Sequence, residues 1–250
     1  MRRKLLVLAI GLTGCATAHR DSLGGRPDSG ITIGGDSNNN NNGDSGVQMD
    51  APPHIDGSMG GTTQTLSQTM ATNDTQVGIA CSGSNTTTSW TSQNSYYRVF
   101  QLSNYGINGT FHVTGIDFIV SAASKSPQLN IGIGTYNGTT GGQTINTAGI
   151  TLTQTTTFAP PDTTTAVPQH IDIAADITGN LVVEIDQNTA GTSANPLLFY
   201  MGANEAGESV PGYISSTDCS LATPTSMDYE AGQLQAGSHA DMVLTVTGST

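Results

Sequence analysis

The 250-residue length allows one or two domains, and a composition of 31 glycines with only 10 % charged and 5 % aromatic residues narrows the class. Stretches rich in Thr, Val and Ile, punctuated by Gly, Asn and Pro, describe short strands joined by turns. Seven Lys and Arg stand against 19 Asp and Glu, and from residue 76 onward Arg98 and Lys125 are the only bases, so a polyanion is repelled and a nucleic-acid role is excluded.

The chain opens MRRKLLVLAIGLTGC, with a basic start (Arg2, Arg3, Lys4) and an apolar run over residues 5–12. That run is far shorter than the roughly 20 residues of a membrane-spanning helix, so residues 1–14 read as an export signal. Leu12-Thr13-Gly14-Cys15 resembles the lipobox of bacterial lipoproteins: a leucine three places before the cysteine, then two small residues, then the thiol. The resemblance implies that Cys15 receives a diacylglyceryl group, and that signal peptidase II cuts before it and frees an amine for further acylation. At about 0.8 kcal/mol per buried methylene, two or three chains hold a water-soluble body at a bilayer where one does not. Ala16 follows the cysteine where an Asp would imply inner-membrane retention, so the resemblance implies the outer membrane of a Gram-negative envelope. An ordinary signal peptide with a chance cysteine is the plainer alternative.

Residues 15–74 are expected to be the lipidated cysteine and a flexible tether. Gly-Gly pairs, five successive asparagines from Asn38 to Asn42, and Ala51-Pro52-Pro53 leave too little apolar surface to offset ordering entropy. About 55 such residues span on the order of 40 Å. Two motifs in the tether mislead. Gly43-Asp44-Ser45-Gly46 matches part of a serine-protease signature, but a nucleophile in a linker cannot be positioned for attack. Asp36-x-Asn38-x-Asn40 opens like an EF-hand loop, yet Asn41 and Val47 stand where the turn glycine and the bidentate glutamate belong.

The folded module is expected over residues 75–250. Alternating runs predict about nine strands, counting one at residues 62–68. Others fall at residues 97–102, 111–120, 129–133, 150–152, 171–173, 181–185, 197–201 and 242–246. In the 111–120 run, Phe111 and Val113 are odd while Ile116, Phe118 and Val120 are even, so a β-bulge at Gly115 keeps both sets inward. Leu181, Val183 and Ile185 point one way and Glu184 and Asp186 the other, after a Thr178-Gly179-Asn180 turn. This spacing predicts an all-β fold, an antiparallel β-sandwich with jelly-roll-like strand order. Cys81 and Cys219 remain as a pair in an oxidising compartment, where a disulfide is the default and two buried thiols the alternative.

Asn94-Ser95-Tyr96-Tyr97-Arg98-Val99-Phe100-Gln101-Leu102 with Asn104-Tyr105-Gly106-Ile107, Ser215-Ser216-Thr217-Asp218-Cys219 and Met242-Val243-Leu244-Thr245-Val246 resemble a β-sandwich module appended to secreted bacterial proteins. The resemblance covers residues 75–250 and implies a non-catalytic accessory with a jelly-roll-like fold.

Candidate ligand-binding residues are Trp90, Tyr96 and Arg98. Trp90 lies in a Ser/Thr-rich stretch and suits stacking on a sugar face. Arg98, the one arginine of the module, shares a strand face with Tyr96 and Phe100, and reads either as a ligand-binding guanidinium or as half of a buried ion pair. His170-x-Asp172 and His239-x-Asp241 each place two donors on one strand face, without a third at zinc spacing. Asp186, Glu205 and Asp218, with Asn188, Glu208 and Asp228, fall near predicted loops and are calcium candidates; no other cofactor is indicated. With no nucleophile elbow, no H-E-x-x-H and no distinctive carboxylate pair, an enzyme is not expected. The expectation is a lipid-anchored envelope protein whose sandwich binds a glycan or another envelope protein. The alternatives are a structural envelope lipoprotein packed in an assembly, and an accessory to a secreted hydrolase.

Overall fold

A computed structural model of the chain describes residues 5–10, 61–73 and 77–250. Cys15 and residues 16–60, where the lipid anchor and most of the tether are expected, lie outside the described residues.

In chain order the strands are β1 (Leu5–Ile10), β2 (Thr63–Ser67), β3 (Val77–Ser84), β4 (Ser89–Thr91), β5 (Ser95–Gln101), β6 (Phe111–Ser124), β7 (Leu129–Tyr136) and β8 (Ile150–Phe158). There follow β9 (Val167–Ile177), β10 (Asn180–Gln187), β11 (Leu198–Met201), β12 (Ala203–Asn204), β13 (Tyr213–Ser216) and β14 (Leu221–Ser226). One α-helix among the described residues, α1 (Met227–Leu234), precedes β15 (Asp241–Met242) and β16 (Leu244–Ser249). Ser226 caps the helix by accepting the Tyr229 N–H, and Asp228 and Glu230 sit in its first turn.

The fold is an antiparallel β-sandwich. One sheet has the order β14-β13-β5-β10-β7-β8. In the other, β6 pairs with β9 along one edge and with β16 and then β11 along its opposite edge, while β2 lies beyond β16. A smaller sheet places β3 between β1 and β12, with β4 as a hairpin partner of β3 and β15 beyond β12. Alternation turns Tyr96, Phe100, Ile131, Ile133, Leu181, Val183 and Ile185 of the six-stranded sheet into one core with Phe111, Ile116, Phe118, Ile171, Phe199, Leu244 and Val246 opposite.

The bulge expected at Gly115 is present. Register slips between Val113 and Gly115 against β9 and across Thr247 and Gly248 against β16, so Phe111, Val113, Ile116, Phe118 and Val120 are all buried. His170 lies over the bare glycine, where a Cβ would come within 2.7 Å of its ring. Gly179 takes φ 85° in the turn between β9 and β10, which carries the chain from one face of the sandwich to the other.

The module starts earlier than residue 75. β2 pairs along β16, Leu66 opposite Val246, and Leu66 is fully buried; that one apolar side chain ties residues 63–67 into the core. Each of the nine expected runs contains strand residues, although the 242–246 run is split between β15 and β16 in different sheets, and β1, β3, β4, β12, β13 and β14 are further strands. In β3, β4, β13 and β14 the Gly, Ser and Thr content hides the alternation that marks the expected runs. Cys81 in β3 and Cys219 in the 3-10 turn after β13 form a disulfide across a 138-residue separation, with Cα atoms 5.8 Å apart.

A polar trough on the outer sheet face

The outer face of the six-stranded sheet divides into two halves. In one, Tyr97, Val99, Tyr136, Ile145, Val182 and Tyr213 form a small second core. The loop over residues 137–149 covers it, fastened to β14 by Ile145 N–H to the Pro224 carbonyl at 3.1 Å and by Ser226 N–H to the Gln143 carbonyl at 2.8 Å. The Tyr213 hydroxyl donates to the Gly142 carbonyl at 3.1 Å.

The other half stays open. Cross-strand register sets Ser95, Asp186, Asn130 and Thr157 in one row across β5, β10, β7 and β8, and Tyr97, Glu184, Gly132 and Thr155 in the next. Gly132 carries no side chain, and Leu152 leans over it so closely that a Cβ would meet its methyl at 2.8 Å. The result is a trough of about 510 Å³ lined by Asn130, Gly132, Leu152, Thr155, Glu184 and Asp186. That volume lies in the about 300–1,000 Å³ range of small-ligand sites.

The two carboxylates are held by neighbours. Asp186 accepts the Ser95 hydroxyl at 2.7 Å. Glu184 is half-buried; burial raises its carboxyl above the usual range, nearby Asp186 adds to this, and a hydrogen bond from Tyr97 opposes it. The Tyr97 phenol is pushed up to about 12 by burial and by Glu184, so it stays protonated and donates. Asn188 donates to the Asn130 side-chain oxygen at 2.9 Å and accepts Gln93 at its carbonyl at 2.8 Å, closing the upper end. The trough can therefore accept hydrogen bonds from hydroxyls, offer amide and threonine donors, and rest an apolar face on Leu152.

Of the ligand-binding candidates, Tyr96 and Arg98 lie inside. Tyr96 is 1 % exposed, packs edge-on against Phe199 and donates to the Ile79 carbonyl at 3.0 Å. Arg98 is fully buried; its Nη1 donates to Glu208 at 2.8 Å and to the Val210 carbonyl at 2.6 Å, and its Nη2 donates to the Met242 carbonyl. The ion-pair alternative therefore describes Arg98, because the even-numbered face of β5 is the core face. Trp90 is partly exposed in β4, opposite Gly83, where a Cβ would come within 2.7 Å of the indole. Its ring thus lies along the small sheet instead of facing the trough.

The calcium candidates do not converge. Asp186 lines the trough, Glu205 follows β12 and Asp218 sits in the turn after β13; among the described residues, no group of three or more His, Cys, Asp or Glu is placed to hold a metal ion. Glu208, grouped with them as a loop residue, is Arg98's partner. His170 does meet its strand neighbour: it lies between Asp117 at 2.7 Å and Asp172 at 3.2 Å, and their hydrogen bonds raise its pKa. His239 turns from Asp241 to Asp228 at 2.6 Å, while Asp241 accepts the Gly207 N–H at 2.7 Å. His112 pairs with Asp176 at 2.7 Å. A second depression of about 540 Å³ beside the loop over residues 137–149 is lined by Tyr136, Asn137, Thr144, Asn146 and Pro224 and holds no carboxylate.

The sequence pointed at the two carboxylates of the trough, since Glu184 and Asp186 already read as outward-facing. It missed Asn130, Gly132, Leu152 and Thr155, which come from two other strands and share only the pleat parity that puts them on the same face. No family model matches the chain, and no curated protein or solved structure matches it.

Proposed function

We propose that the chain is a lipid-anchored protein of the cell envelope whose sandwich is a non-catalytic binding module, with a glycan or an envelope protein as ligand. The lipobox at Leu12-Thr13-Gly14-Cys15 supports the anchor. Attachment in this reading is through lipid on Cys15; among the described residues no helix is long and apolar enough to cross a membrane. The observation that carries the binding function is the open half of the six-stranded sheet: polar groups from β7, β8 and β10 converge there on a trough that no loop of the described chain covers.

Two measurements test the two halves. Cys15→Ser moves the protein from the membrane to the soluble fraction and abolishes uptake of labelled fatty acid; unchanged fractionation and labelling overturn the anchor. The full chain, screened against oligosaccharides and envelope-protein fractions with calcium and again with chelator, retains at least one ligand. Silence across every arm overturns the binding module.

A further inference from the structure

We propose that the trough over Gly132 binds an uncharged segment of a polysaccharide chain. This rests on the binding-module reading and gives it a site and a ligand class.

Three features of the trough select the ligand. Its walls mix one apolar surface with hydrogen-bonding groups: Leu152, 37 % exposed, faces the same space as Asn130, Thr155, Glu184 and Asp186. A pyranose ring has the matching character, with C–H faces that rest on apolar surface and equatorial hydroxyls that reach outward. The second feature is charge. The trough holds two carboxylates and no base among its lining residues; Arg98 of the neighbouring strand β5 is turned into the core and committed to Glu208, and Lys125 sits outside the trough in the turn between β6 and β7. An anionic sugar chain is repelled there, whereas hydroxyl groups donate to carboxylates in short charge-assisted hydrogen bonds. Third, the acceptors are pre-positioned. Ser95 fixes Asp186 at 2.7 Å and the Asn130–Asn188 amide pair is locked at 2.9 Å, so little side-chain freedom is lost there on binding. The trough is open at the surface, bordered by the edge strand β8, so a chain can pass along it rather than having to end inside it.

The test is calorimetric titration of the full chain with neutral oligosaccharides (cello-, xylo-, manno- and chito-oligomers) and with oligogalacturonate as the anionic counterpart. Thr155→Arg fills the trough and adds a positive charge, and Asp186→Asn removes one charged acceptor. Both positions lie on the outer face, and thermal melting checks that each variant is folded. Asp172→Asn, on the other sheet, is the control. At least one neutral oligomer is expected to bind, oligogalacturonate is not, and each trough variant is expected to weaken binding tenfold or more while Asp172→Asn leaves it unchanged. Neutral-oligomer binding that both trough variants leave intact overturns the trough and spares the binding module. Failure of every neutral oligomer beside a retained envelope protein does the same. Tight binding of oligogalacturonate by the wild type overturns the ligand class.

Discussion

Arg98 is buried with two carboxylates near it, so the cluster carries one negative charge more than it can neutralise. Glu208 touches the guanidinium at 2.8 Å with its side chain 6 % exposed, and Asp241 lies close enough to raise the Glu208 pKa further. Burial dominates, and the Glu208 carboxyl is pushed up to about 7 despite Arg98. The folded pKa is above the unfolded value, so the folded state holds this proton more tightly. Its contribution to stability is complete below pH 4.5 and is lost as pH rises through about 7. At about 1.4 kcal/mol per pKa unit, the full shift amounts to about 3–4 kcal/mol. Urea unfolding at pH 5 and pH 7.5 should show the wild type more stable at pH 5. Glu208→Gln, which keeps the shape of the protonated acid, should reduce that difference to the part contributed by other groups with raised pKa values, His170 and His239 among them. An equal slope in the variant would remove Glu208 as its source.

Among the elements, β7 has the least room for change. It slips register against β8 between Ile133 and Gly134, and a Cβ at Gly134 would stand 2.0 Å from the Thr151 carbonyl oxygen and 2.6 Å from the Leu152 Cα. Those are backbone atoms, so relief means parting the strands. Gly134→Ala is expected to cost about 1–3 kcal/mol, as overpacking does, and to displace Leu152 at the trough margin. Urea titration reads the first effect, and loss of amide protection confined to β8 reads the second; a variant as stable and as protected as wild type would show that β8 shifts freely. The same strand explains what could be read in advance. Leu129, Ile131 and Ile133 announce β7 by period-two alternation, and the parity switch around Gly115 announces the bulge in β6. β3, β4, β13 and β14 are rich in Gly, Ser and Thr and carry at most two large apolar residues each, so no period-two apolar run marks them. Burial there is decided by tertiary neighbours and leaves no period in the sequence. The trough was hidden for a related reason. A Gly, an Asn and a Thr look like turn residues when read singly, and their shared face appears only once register is known.

At the scale of the molecule, connections distant in sequence hold the sandwich closed. β2 pairs with β16, and the Cys81–Cys219 bond joins the small sheet to the far end of the six-stranded one. Processing before Cys15, as proposed, takes β1 from the edge of β3 and leaves that disulfide as a remaining tie on the strand. In the chain-entropy picture a cross-link closing a loop longer than 100 residues limits the unfolded chain by about 5 kcal/mol, while measured native disulfides contribute about 2–4 kcal/mol. Replacing both cysteines, Cys81→Ala with Cys219→Ala, should therefore lower stability by about 2–4 kcal/mol in urea. Cys81 is fully buried, so part of any loss is packing rather than linkage. A reductant separates the two, since breaking the bond in the wild type keeps both sulfurs in place. Wild type unfolded with dithiothreitol should lose most of the margin, and the double variant should not respond. Should reduced and oxidised wild type unfold at the same urea concentration, the pairing of β2 with β16 and the shared core would be sufficient closure, and the disulfide would be a product of the oxidising compartment with no hold on the fold.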